Sequence, residues 1–151
     1  MKNLFDRTVA NQVKARLGKL EPQSERRWGK MTAPQMLAHC SVSMQWAVGE
    51  VVPEKGAFFT RLVGRLVKPM VFRNEDPLRQ NSPTAKSLIV ADERDLGKER
   101  ERLSGLIDKF TAAGPAACTK HPHSFFGSLT PDEWAILMYK HLDHHLRQFG
   151  V

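Results

Sequence analysis

Three of the chain's six histidines fall within "YKHLDHHLRQFG", Tyr139 to Gly150. Two of them, His141 and His145, are four positions apart. On a helix that spacing sets their imidazoles about 40° apart on one face, one turn above the other. Such a pair can hold a metal ion, because both rings reach the same point. A third imidazole comes from "MTAPQMLAHCSVSMQWAVG", where His39 shares a helix face with Met36, Ser43, Trp46 and Ala47. Three neutral imidazoles suit a divalent ion, zinc or nickel foremost, with iron and copper also within reach of the set. They leave at least one position for water or substrate. A lone inward histidine is ordinarily a hydrogen-bonded core residue, and His39 alone supports no more. Two on one core stripe are harder to accommodate without a ligand, since an unpaired polar group in a core costs about 1–3 kcal/mol.

The elements that must position these rings are helices. The first is predicted from Asp6 to about Leu20, with Val9, Val13 and Leu17 on one stripe and Gly18 and Pro22 at the exit. The second opens on Thr32, with Gln35 completing a capping box and Pro34 in the first turn, and runs to about Val48 before Gly49. The third lies in "DERDLGKERERLSGLIDKFTAAGP", where Leu96, Leu103, Leu106, Ile107 and Phe110 form the apolar stripe and Gly114-Pro115 stops it. The fourth repeats the second's opening: Thr130 caps, Pro131 begins and Glu133 closes the box. "SLIVAD" has the composition of a short strand but no partner, so the predicted fold class is all-α.

Some forty residues, Glu50 to Asp92, separate the second and third helices. Within them "FFTRLVGRLVKPMVF" predicts a short helix ended at Pro69. With Arg61, Arg65 and Lys68 on its polar side, it reads as a lid packed on the bundle rather than a membrane-surface helix. Short links make antiparallel neighbours, whereas a long one permits a crossover between parallel helices. The expected architecture is therefore an up-down-down-up four-helix bundle with a long crossover between helices two and three. Helices two and four then run antiparallel. His39 lies seven residues beyond Thr32, and His141 and His145 lie eleven and fifteen beyond Thr130. Antiparallel helices of about eighteen residues with aligned ends bring these positions level.

Composition bounds the rest. A chain of 151 residues is expected to form one domain, 1–151. No apolar run approaches the roughly 20 residues of a bilayer span, and "MKNLFDRTVANQ" lacks a signal peptide's apolar stretch. Two cysteines exclude a disulfide framework, so reduced thiols and a cytoplasmic location are expected. The net charge of +7 is spread among acids, as in "DERDLGKERERL", which reads as a solvated surface rather than a nucleic-acid site.

Other candidates surround the triad. His144 lies at the edge of the face, either as a bystander or as a proton carrier beside the site. Gln148, one turn beyond His144, can orient a ligand. Cys40 is turned about 100° from His39 and reads as a small core residue. Cys118, His121 and His123 form C-x-x-H-x-H, short of a fourth ligand and interrupted by Pro122, so a loop over the mouth of the site is the better reading. Asp143 falls on the far face, toward solvent or Lys140. Trp46, Trp134 and Phe149 read as core. Glu133 lies two turns from His141, so no carboxylate stands beside the triad. That favours thiol chemistry over carboxylate-assisted hydrolysis, because a thiol bound to metal loses its proton outright. A metalloenzyme acting on a small-molecule electrophile is expected, with a non-catalytic metal or small-ligand binding protein as the alternative. The crossover (Phe58 to Ser82) and the loop from Cys118 to Phe126 are the expected rim.

The pattern of one histidine in helix two and H-x-x-x-H-x-x-Q in helix four, here His39, His141, His145 and Gln148, resembles the DinB/YfiT-like superfamily of metal-binding four-helix bundles. "WGKMTAPQMLAHCS", "NSPTA", "HPHSFFGSLTPDEW" and "YKHLDHHLRQFG" resemble an uncharacterised bacterial branch of it, over Trp28 to the C-terminus. The resemblance implies an up-down-down-up bundle, a divalent metal on three histidines and, as is often found in that superfamily, a homodimer. Related branches are thiol-dependent transferases that use a low-molecular-weight thiol as cosubstrate, and a few are hydrolases or isomerases.

Overall fold

The computed structural model describes residues 1–151, the side chain of Ala117 excepted. Five helices carry the fold: α1 (Arg7–Leu17), α2 (Ala33–Ala47), α3 (Phe58–Arg73), α4 (Leu96–Ala113) and α5 (Pro131–Gln148). Lys86–Leu88 and Gly114–Ala117 form short 3-10 turns. Among the described residues no strand forms, and the sole bridge joins His123 to Gly127. Among the described residues no helix is long and apolar enough to cross a membrane.

Local chemistry sets the helix ends. Thr32 and Thr130 each accept the N–H three residues on, while Gln35 and Glu133 return the bond to the cap's own N–H. Each such cap stabilises its helix by about 1 kcal/mol. Asp6 and Asp95 cap α1 and α4 in the same sense. The helix α1 stops at Leu17, short of the expected Leu20, because Gly18 takes the C-cap. Leu20 is nevertheless buried.

The core is one cluster that includes Leu17, Met36, Met44, Leu103, Ile107, Phe110, Trp134 and Leu142. The helix α2 packs chiefly on α4, and also on α5; α1 packs on α4 and α5. Polar bonds tie the elements together. Leu4 N–H donates to Ala135 O, and Arg27 N–H to Gln148 O. Arg102 bonds Gln45, and Lys109 pairs with Glu50 at 2.6 Å.

Two expectations are corrected here, and a third holds in part. The crossover helix does not end at Pro69; α3 continues to Arg73. Proline removes one N–H, leaving the Arg65 carbonyl without its helical donor, but Pro69 and Arg65 are both exposed, so water can solvate it. The helix α3 packs on the helical core as expected, though much of its apolar side stays outward. It rests on α5 and the loop before it through Gly64, Val67, Val71 and Phe72. Lys68 donates to Ser128 O and pairs with Glu133, both at 2.9 Å. Phe58, Phe59, Leu66 and Met70 face outward. Finally, Asp143 meets neither solvent nor Lys140. It is buried between Arg16, at 2.6 Å, and Arg147, at 2.7 Å, because α1 packs on that side of α5. Lys140 instead donates to Val71 O, Asn74 Oδ1 and Asp76 O, fastening the segment after α3 onto α5.

Candidate metal centre

The helix α2 supplies His39, and α5 supplies His141 and His145. One ring nitrogen from each gathers with the other two within 4.8 Å. His39 Nε2 lies 2.9 Å from His141 Nε2, and His145 Nε2 lies 3.2 Å from the same atom. His39 and His145 are buried, and His141 is partly exposed.

The opposite edges of two rings are fixed. His39 Nδ1 stands 2.9 Å from the carbonyl of Leu88, which can only accept, so the proton sits on Nδ1 and Nε2 is a bare lone pair. Gln148 Nε2 donates to Trp28 O at 2.7 Å, which turns its Oε1 toward His145 Nδ1 at 2.8 Å. That nitrogen carries its proton too, and His145 Nε2 is the second bare lone pair. Both face His141 Nε2, which has at most one proton to share. At least one pair of nitrogen lone pairs therefore meets head-on at hydrogen-bond distance, in a largely dry site. A cation removes the conflict. Four-coordinate bonds of about 2.0–2.1 Å separate donor nitrogens by about 3.3 Å, close to the spacing found. The donor set fits a divalent ion.

Electrostatics keep the ligands in the form that binds. Burial drives the pKa of His145 down to about 3, with the His39 charge adding to it. Burial also holds His141 well below the ordinary range, helped by His145 and His39. His39 is lowered by burial against the opposing pull of the Leu88 carbonyl. All three are neutral at neutral pH.

His144 is not among the gathered nitrogens. Its Nδ1 lies 3.2 Å from Leu78 O, and its ring stands edge-on to His145 with centroids 5.0 Å apart. Gln148 acts through His145, as described. The crossover carbonyls of Leu78 and Leu88 thus lie against the histidine group. The Cys118, His121 and His123 set does not gather. His121 is exposed, the Cys118 thiol faces Pro131 O, and His123 lies between Trp46 and Trp134. His123 Nδ1 accepts from the N–H groups of Phe125 and Phe126, so it pins the loop that seats α3. The indole N–H groups of Trp46 and Trp134, beside it, are buried without a protein acceptor. Cys40 is a buried core thiol whose pKa is pushed far up by burial, and Cys118 rises to about 11.

Two partners escaped the sequence reading: the carbonyls of Leu88 and Trp28. Backbone acceptors carry no residue-type signal. The nearest available hint was Gln148 itself, an amide on a core stripe that needs a second partner.

Fold and site together define an all-helical protein with a three-imidazole centre able to hold a metal ion. The chain belongs to the family described as "Protein of unknown function (DUF1569)", which matches residues 4–150. No curated protein and no solved structure matches it.

Proposed function

We propose that the chain is a divalent-metal-dependent enzyme whose centre is His39, His141 and His145, acting on a small electrophile with a low-molecular-weight thiol as cosubstrate. The observation that carries the metal reading is the convergence of three Nε2 atoms, two of them forced by Leu88 O and Gln148 to present lone pairs. A bound zinc or nickel ion would supply Lewis acidity, lowering the pKa of a thiol that reaches it. The chain's own residues favour a thiol from outside. Cys40 and Cys118 both have raised pKa values, so neither is a ready nucleophile. The two carboxylates of α5 nearest in sequence, Glu133 and Asp143, are engaged by Lys68 and by Arg16 with Arg147. Neither is free to act as a base for water, which disfavours hydrolysis. His144, whose Nε2 is uncommitted, is the group to move a proton at the edge of the site.

The same reading takes α1, α2, α4 and α5 as an up-down-down-up bundle of DinB/YfiT-like type, forming one cytoplasmic domain that pairs as a homodimer and does not bind nucleic acid. The bundle's support is the pairing of helix ends: Leu4 with Ala135, Arg27 with Gln148, Gln35 with Asp92 and Glu50 with Lys109.

A second reading, non-catalytic metal binding, is favoured by the burial of His39 and His145. One experiment separates them. Protein purified without chelator is assayed for metal content and for thiol-dependent turnover of an electrophile panel, alongside His141→Ala. One equivalent of metal lost in the variant, with turnover lost alongside, supports the enzyme. Metal without turnover leaves the binding protein, and metal content unchanged in His141→Ala removes the site.

A further inference from the structure

The helix α3 leaves a large apolar stripe in solvent. Phe58 is 82% exposed, Phe59 72%, Leu66 72% and Met70 70%, with Leu62 and Val63 between them also exposed. At about 100° per residue these six side chains occupy one arc of the helix, and Gly64, Val67 and Val71 occupy the side that rests on the bundle. The stripe is thus the face left over once α3 is seated. Such a concentration on one helix marks a binding surface rather than the scattered apolar exposure of any soluble protein.

Charge says what covers it. Arg61 and Arg65 border the stripe, Lys55 precedes the helix and Arg73 ends it. None of the four makes an ion pair among the described residues. From Lys55 to Arg73 the sequence contains no carboxylate. An antiparallel two-fold pairing of α3 with a second copy would set Arg61 and Arg65 of both chains along the same edge, like charge against like. An anionic lipid surface has the opposite complement: headgroups for the arginines and acyl chains for Phe58, Phe59, Leu66 and Met70. A helix with a strong apolar face, basic flanks and too little overall hydropathy to span lies in the interfacial plane.

We propose that α3 is an amphipathic docking helix that binds the surface of anionic membranes, with Phe58, Phe59, Leu66 and Met70 inserted and Arg61, Arg65 and Arg73 at headgroup level. The lid expected from the sequence would bury this stripe, and the structure leaves it outside.

The test is co-sedimentation of the full chain with phosphatidylcholine vesicles and with vesicles containing phosphatidylglycerol, at low and high salt. The wild-type chain partitions onto the anionic vesicles only, and salt weakens it. The double variant Phe58→Ser/Phe59→Ser loses the partition. Arg61→Glu/Arg65→Glu lowers it by at least about tenfold, since each basic residue near such a surface contributes roughly a fivefold factor. All these positions are exposed, so unchanged circular dichroism is expected and is checked first. Absence of partition at low salt, equal partition onto neutral vesicles, or partition indifferent to both variants overturns the proposal. So does a dimer in gel filtration that Phe58→Ser/Phe59→Ser dissociates, which would assign the stripe to a second copy.

Discussion

Gln148 Oε1 stands 2.8 Å from His145 Nδ1, and the amide cannot turn over without breaking its bond to Trp28 O. The loop between α1 and α2 therefore sets which nitrogen of His145 is free, through a side chain that touches no ligand position itself. Partners of this kind change metal affinity about 10–100-fold when removed.

Gln148→Leu is accordingly expected to weaken metal binding by that factor, with helix content intact. Gly29→Ala should act in the same direction. Gly29 sits at φ +77°, and a Cβ there would lie 2.4 Å from Gln148 Nε2. The measurement is chelator competition on both variants. Affinities equal to wild type in both would show that the amide does not govern the site.

Metal should stabilise the fold, because the folded chain gathers ligands that the unfolded chain holds apart. A hundredfold excess over Kd contributes about 2.7 kcal/mol, worth roughly 5–10 °C in Tm for a chain this size. Chelator should reverse the gain. His39→Ala should abolish it, and an unchanged ion-dependent shift in that variant would contradict the three-ligand assignment.

Acid should destabilise the metal-free chain. His123 is held near 4 by burial and His145 near 3, against 6.5 for a free imidazole. Both pKa values are depressed, so between about 6.5 and 4 the unfolded chain binds more protons than the folded one. Stability is then full above pH 6.5 and falls as pH drops through that window. Thermal melts in chelator from pH 7.5 to 4.5 read it directly. A Tm independent of pH would mean these rings are solvated.

Two glycines make a contrasting pair. A Cβ on Gly64 would fall 2.0 Å from Phe125 O and 2.7 Å from its carbonyl carbon, both backbone. Gly64→Ala should therefore lift α3 from its seat, costing about 1–3 kcal/mol and opening the segment to protease. Gly105 has nothing within 4 Å and lies mid-helix in α4. Gly105→Ala should stabilise by about 0.5–1 kcal/mol. Limited proteolysis and denaturant melts on the two variants decide it.

What the sequence made legible follows from what it encodes locally. Capping boxes at Thr32 and Thr130 are three-residue signals, and the i, i+4 pair His141/His145 is a one-turn signal. Both survive any tertiary arrangement. Asp143 was misread because the face opposite the histidines is not solvent when a third helix lies there; Arg16 of α1 stands on that side. Pro69 is a helix-ending signal that α3 runs past, because the Arg65 carbonyl it strands is open to water and the helix continues with a local defect. The carbonyls that orient His39 and His145 belong to Leu88 and Trp28, whose side chains say nothing about where their backbone points.

His39 and His141 are 102 residues apart in the chain. His141 and His145 are a single turn apart, and α5 needs no other element to bring them together. Closing the long loop is entropically expensive and slow relative to forming one helical turn. Assembly of the centre around a metal is therefore expected to have an order. An ion present during refolding can be held by the α5 pair first, favouring that helix before α2 arrives, and His39 docks last with its crossover strap at Leu88. Metal would then act on the rate at which the chain folds as well as on how firmly it stays folded.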